Sequence, residues 1–160
     1  MTNLLPQPGT IVSVDTETGG LHPDNGEWLS VVSLAWEADG LRTLVLPFDH
    51  GTLDKDDLPK GVQPDLFSFD GVANLTVDSW DVLLSVLSEC WLVGHNLKFD
   101  LLFLWRGLRP STDLDREWRP GVSLVDRVVW DSGVVSPLLW PGLPVALKAT
   151  AGRLWGEEEA

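Results

Sequence analysis

Tyrosine is absent from the 160 residues, and cysteine and methionine occur once each. With Cys90 alone, an internal disulfide and a cysteine-rich zinc site are excluded. Bases are scarce: eleven Lys and Arg stand against 24 Asp and Glu, for a formal net charge of −13. That excludes a generally basic protein that coats nucleic acid, but not an enzyme with a local channel for a polyanion. No apolar run approaches the ~20 residues of a membrane span. The first ten residues hold no basic region followed by an apolar run. The expectation is therefore a cytoplasmic protein with no membrane partner, folded as a single domain over residues 1–160.

What is present is globular: 44% of residues are apolar and 22% charged. The nine tryptophans are read mainly as core and loop anchors, and Cys90 as a small buried hydrophobe. Charge is unevenly spread. Residues 1–89 carry fifteen acids and three bases, whereas residues 90–160 carry nine acids and eight bases. Six bases fall between Lys98 and Arg127, where a phosphate backbone would be met. Asp113, Asp115 and Glu117 interleave with them, so a solvated loop of mixed charge is the competing reading.

Hydrophobic patterning predicts strands first and helices later. Thr10 to Asp15 reads as a buried strand. Leu29 to Trp36 and Leu41 to Leu46 read as a hairpin closed at Asp39-Gly40. Pro47 to Thr76 is long and polar, and a stretch of that length is expected to hold local structure or function. A helix capped by Asp78 or Ser79 is predicted to run to about Cys90, with Trp80, Leu83, Leu84 and Leu87 on one face. Trp91 to Val93 reads as a strand, and Asn96 opens a helix of about ten residues. A strand over Val122–Val125 and a helix over Asp126–Val135 are expected next. Ser136 to Pro144 reads as a connector, and Val145 to Leu154 as a last helix stopped near Gly156. Glu157, Glu158 and Glu159 form an acidic tail.

Two segments carry chemistry. In Asp15-Thr16-Glu17, side chains two apart on a strand share a face, so both carboxylates project together. Their repulsion is best relieved by a hard divalent ion such as Mg²⁺ or Mn²⁺. Thr18-Gly19-Gly20-Leu21 then turns where backbone can approach a ligand. In Gly94-His95-Asn96-Leu97-Lys98-Phe99-Asp100, Asn96 and Asp100 share a helix face. Asp100 lies among apolar residues, where a carboxylate must be paired, capping or metal-bound.

Together, Val12 to Leu21 and Val93 to Asp100, at their separation of about 75 residues, resemble the proofreading 3′–5′ exonuclease domain of family A DNA polymerases, within the DEDD exonuclease superfamily. Leu124 to Trp130 is similar to that family's Asp-Thr-led helix. Leu147 to Gly156 is similar to its Leu-Gly helix, so the likeness spans residues 10–156. It implies an α/β, ribonuclease-H-like mixed sheet: a three-strand antiparallel meander plus parallel strands, flanked by helices. It also implies two-metal hydrolysis of phosphodiesters. Asp15 would bridge both ions, Glu17 would bind the ion that activates water, and Asp100 would serve the second ion. Thr18 and Leu21 would touch the terminal nucleotide. His95 and Asn96 would hold the penultimate phosphate or sugar, and Phe99 would pack beside or beneath the terminal base. The partner implied is a single-stranded 3′ DNA end.

The family's third motif, Tyr-x-x-x-Asp or His-x-x-x-x-Asp, has no counterpart before Ala160, so the family's last helix is expected to be missing. Asp126 and Asp131 are read as a helix cap and an exposed acid, not as metal ligands. Three functions follow. The first is an exonuclease whose third motif comes from a polymerase domain or a second chain. The second is an inactive module that binds DNA ends or a polymerase. The third is an acidic decoy for a basic partner.

Overall fold

Alternating burial organises the centre of the fold. In strand β1 (Ile11–Thr18), Val12, Val14 and Thr16 are buried while Ile11, Asp15 and Glu17 are exposed. This is the period of two that gives a strand two unlike faces. The computed structural model describes residues 5–21, 29–48, 75, 77–106 and 124–155. Most of the Pro47–Thr76 stretch, the arginines at 109, 116 and 119, His22, His50 and the acidic tail lie outside the described residues.

β2 (Leu29–Ala38) and β3 (Gly40–Pro47) complete the predicted meander, each antiparallel to its predecessor. Gly40 closes the hairpin at φ +109°, a conformation that side-chain-bearing residues rarely adopt. Helix α1 (Val77–Glu89) leads to β4 (Trp91–Gly94), which pairs parallel with β1. Asp78 and Ser79 therefore lie inside the first turn of α1 rather than before it. After β4 comes α2 (Leu97–Arg106). β5 (Val128–Asp131) pairs parallel with β4, and α3 (Ser132–Leu139) and α4 (Leu147–Trp155) follow. The strand order β3-β2-β1-β4-β5, with helices around it, is the expected ribonuclease-H-like α/β arrangement.

One region departs from the expectation. Leu124 and Val125 are not strand. Val125–Arg127 is a single 3₁₀ turn, and the strand lies at Val128–Asp131, where a helix was expected. Val128-Val129-Trp130 is β-branched and aromatic, and the open edge of β4 captures it. The helix then begins at Ser132, and Asp131 is its cap rather than an exposed acid, its side chain accepting from the Gly133 amide. It runs on through Pro137, so Ser136 to Leu139 are helix and not connector. Proline removes one intrahelical bond near the end of this short element.

One core joins the sheet to two helices. Val12, Val14, Val32, Leu34 and Leu92 of the sheet pack with Trp80, Leu83 and Leu87 of α1 and Leu97, Phe103 and Leu104 of α2. Phe48 meets the Trp80 ring edge-on at 5.1 Å. Cys90 is buried as expected; burial pushes its thiol up, and its Sγ donates to the Gln7 carbonyl. The tryptophans divide: Trp36 and Trp80 are core, whereas Trp91, Trp105, Trp130 and Trp155 are exposed. The opposite sheet face carries Asp15 and Glu17, and Ile11, Val45, Trp91 and Trp130 on it are 40–58% exposed.

Candidate functional site

β1, β4 and β5 run parallel, so their carboxyl ends meet at one edge of the sheet. In open α/β sheets that edge is where ligands bind. Here it gathers Asp15, Glu17 and Thr18 from β1, His95 and Asn96 after β4, and Asp131 at the end of β5. A register shift between Glu17 and Thr18 bends β1 there.

The two segments are joined by one buried contact. The β1–β4 pairing extends only from Ile11 to Ser13, so later β1 amides on that side need another acceptor. Asp100 supplies it. Its Oδ1 accepts from the Thr16 amide at 2.9 Å and from the Thr16 hydroxyl at 2.7 Å. Asp100 is only 4% exposed. Burial raises its pKa, the hydrogen bonds from Thr16 lower it, and the Asp15 charge raises it further. The Asp15 charge thus reaches Asp100 across the α2–β1 contact.

Asp15 and Glu17 are exposed on the sheet face opposite the core. Their hard oxygen donors suit Mg²⁺ or Mn²⁺ chemically. The grouping does not: among the described residues, no three His, Cys, Asp or Glu side chains are gathered tightly enough to hold a metal ion. Asp100 has one oxygen committed to Thr16.

The expected nucleotide contacts are placed as follows. Thr18 donates its hydroxyl to the Gly20 carbonyl at 2.6 Å, which builds the turn after β1. Leu21, just beyond, is 72% exposed. Phe99 is half-buried, its ring 5.0 Å from Phe103 and packed against the core beneath the corner. Asn96 has φ +59°, a left-handed conformation that asparagine tolerates better than most residues. It follows Gly94, where a Cβ would lie 2.6 Å from the Leu97 side chain and 3.0 Å from the Val14 carbonyl. Only glycine lets the chain leave β4 so close to β1.

Two structural residues were not singled out as site components. Thr16 stands between two carboxylates in the sequence, and it is what Asp100 binds. Asp131 accepts from the amides of Asn96 at 2.7 Å, Leu97 at 2.8 Å and Gly133 at 2.8 Å. It therefore caps α2 as well as α3. The sequence Asp131-Ser132-Gly133 carries a cap signal that points to α3, but nothing local points to α2.

This ribonuclease-H-like architecture is similar to that of solved structures that include NrnC and exonuclease I. Among solved structures, NrnC of Brucella melitensis superposes with a TM-score of 0.52 at 20% identity, over 100% of this chain and 59% of that one. NrnC with bound Mg²⁺ gives 0.54 at 19% identity, over 100% of this chain and 60% of that one. An exonuclease I in complex with an SSB C-terminal segment gives 0.54 at 16% identity, over 96% of this chain and 38% of that one. The chain thus spans about three-fifths of the length of NrnC. No known family model matches it, and no curated protein sequence does either.

Proposed function

We propose that the chain is a 3′–5′ exonuclease-like domain that receives single-stranded 3′ DNA ends at the carboxyl edge of β1 and β4. The observation that carries this reading is the Asp100–Thr16 contact, which ties the second carboxylate segment to the strand bearing Asp15 and Glu17. Asp15, Glu17 and Asp100 are the proposed catalytic and metal-binding residues. Thr18, Leu21, His95, Asn96 and Phe99 are the proposed substrate contacts. Metal dependence on Mg²⁺ or Mn²⁺ belongs to the same reading; it is supported by the donor chemistry and by the Mg²⁺ in the NrnC neighbour. A proofreading role beside a polymerase domain, or beside a second chain that brings a further acid, is the finer form of the proposal.

A specific observation favours a second reading. Asp15 and Glu17 are exposed on one face of β1 and Asp100 is buried against the other, and among the described residues they do not close into one ligand cluster. A module that holds a DNA end or a polymerase without cutting DNA would look the same. One assay separates the two. The purified chain and Asp15→Ala are incubated with 5′-labelled single-stranded DNA in Mg²⁺, Mn²⁺ or EDTA. A ladder that shortens from the 3′ end, and is abolished by EDTA and by Asp15→Ala, is expected of the nuclease. Binding without cleavage in either metal overturns it in favour of the module.

A further inference from the structure

The corner between β4 and α2 is gripped from the side by the turn that opens α3. Asp131 holds the amides of Asn96 and Leu97 with its two carboxylate oxygens. Ser132 contacts two atoms: its Oγ lies 3.2 Å from the Gly94 carbonyl and 2.9 Å from Nδ1 of His95. A Cβ on Gly133 would meet the Asn96 amide nitrogen at 3.0 Å, so the turn is pressed against the corner as closely as glycine permits.

The Ser132 contacts settle a proton. A carbonyl oxygen only accepts, and a hydroxyl has a single proton to donate. Both contacts are hydrogen bonds only if Ser132 donates to Gly94 and accepts from a protonated Nδ1. The neutral imidazole of His95 then carries its proton on Nδ1 and presents Nε2 as an acceptor. An acceptor at Nε2 suits a sugar hydroxyl and repels a phosphate oxygen.

We propose that Asp131 and Ser132 are positioning residues: Asp131 fixes the backbone that presents Asn96, and Ser132 sets His95 in its Nδ1–H form to receive a nucleotide hydroxyl. The proposal rests on the reading of His95 and Asn96 as nucleic-acid contacts, and its test has one arm that does not. In that arm, the full chain with ¹⁵N-labelled histidine is examined by long-range ¹⁵N–¹H NMR at pH 8, where an ordinary imidazole is neutral. His95→Gln assigns the signal. The Nδ1–H pattern is expected in wild type and in Ser132→Thr, with a shift toward the Nε2–H form in Ser132→Ala. An Nε2–H pattern in wild type overturns the tautomer assignment, and no change in Ser132→Ala overturns the role of Ser132 in setting it.

The second arm measures binding of a single-stranded oligodeoxynucleotide with a 3′ hydroxyl in EDTA, by fluorescence anisotropy. Ser132→Ala is expected to weaken it by about tenfold, the worth of one good hydrogen bond, and Ser132→Thr to restore it. A tautomer change with unaltered affinity overturns the positioning role. No binding by wild type overturns the nucleic-acid reading itself and the role with it, whatever the tautomer.

Discussion

Asp100 sits under two demands that pull apart. Its Oδ1 satisfies the Thr16 amide and hydroxyl, which rewards an acceptor. Burial and the Asp15 charge both disfavour its ionised form. A carboxyl whose pKa is raised by folding is protonated more readily in the folded chain than in the unfolded one. Stability from this group is then greatest at acid pH, and it falls as pH rises from the ordinary value of 3.8 through the raised one. Asp100→Asn keeps the oxygen that Thr16 needs and removes the charge. In EDTA, its melting temperature should exceed that of wild type at pH 8, and the difference should close as pH falls toward 3.8. Cleavage, where wild type shows it, should be lost in the same variant. An equal or lower melting temperature at pH 8 would show that the charge is already compensated.

Asp131 acts at the scale of elements, because three amides from two helix starts converge on one side chain. Removing it leaves both helix starts uncapped. Asp131→Ala should therefore destabilise the fold by about 2–3 kcal/mol in urea unfolding, more than a single cap is usually worth. Gly133→Ala should cost about 1–3 kcal/mol by forcing α3 away from Asn96. A loss below about 0.5 kcal/mol for either would mean that the corner is held elsewhere. The same residue shows where sequence reading ends. β1, the β2–β3 hairpin, α1, β4 and α2 were legible because period, turn residues and breakers agree within each segment. Around Asp126 to Leu139 they conflict. Two aspartates offer caps five residues apart, Val128 to Trp130 fits strand or helix, and Pro137 reads as a break. Pairing with β4, distant in sequence, decides between them. The site divides in the same way. Asp15, Glu17 and Asp100 stood out through the two segments and the resemblance they carry, and the contact of Thr16 with Asp100 joins those segments in the fold. The hold of Asp131 on Asn96 spans 35 residues and leaves no local mark.

For the molecule as a whole, charge and apolar surface make opposite demands on a polyanionic partner. A net charge of −13 repels it, and fifteen of the acids lie in the first 89 residues. Among the described residues, the sheet face that bears Asp15 and Glu17 offers Ile11, Val45 and Trp91, all partly exposed, with Arg127 as the base over the Trp91 ring. Affinity for a single strand should then come mainly from stacking and apolar contact, with few phosphates neutralised. Within the corner segment Gly94 to Asp100 there is one lysine, Lys98, on the exposed side of α2. Each phosphate neutralised on single-stranded DNA adds about −0.7 to the slope of log affinity against log salt. Anisotropy titrations between about 50 and 200 mM KCl, in EDTA, should give a shallow slope for wild type. Lys98→Ala should make it shallower by about 0.7 while leaving the melting temperature unchanged. A steep wild-type slope, or one that Lys98→Ala does not alter, would place the phosphate contacts on other bases and shift the path of the strand away from this end of α2.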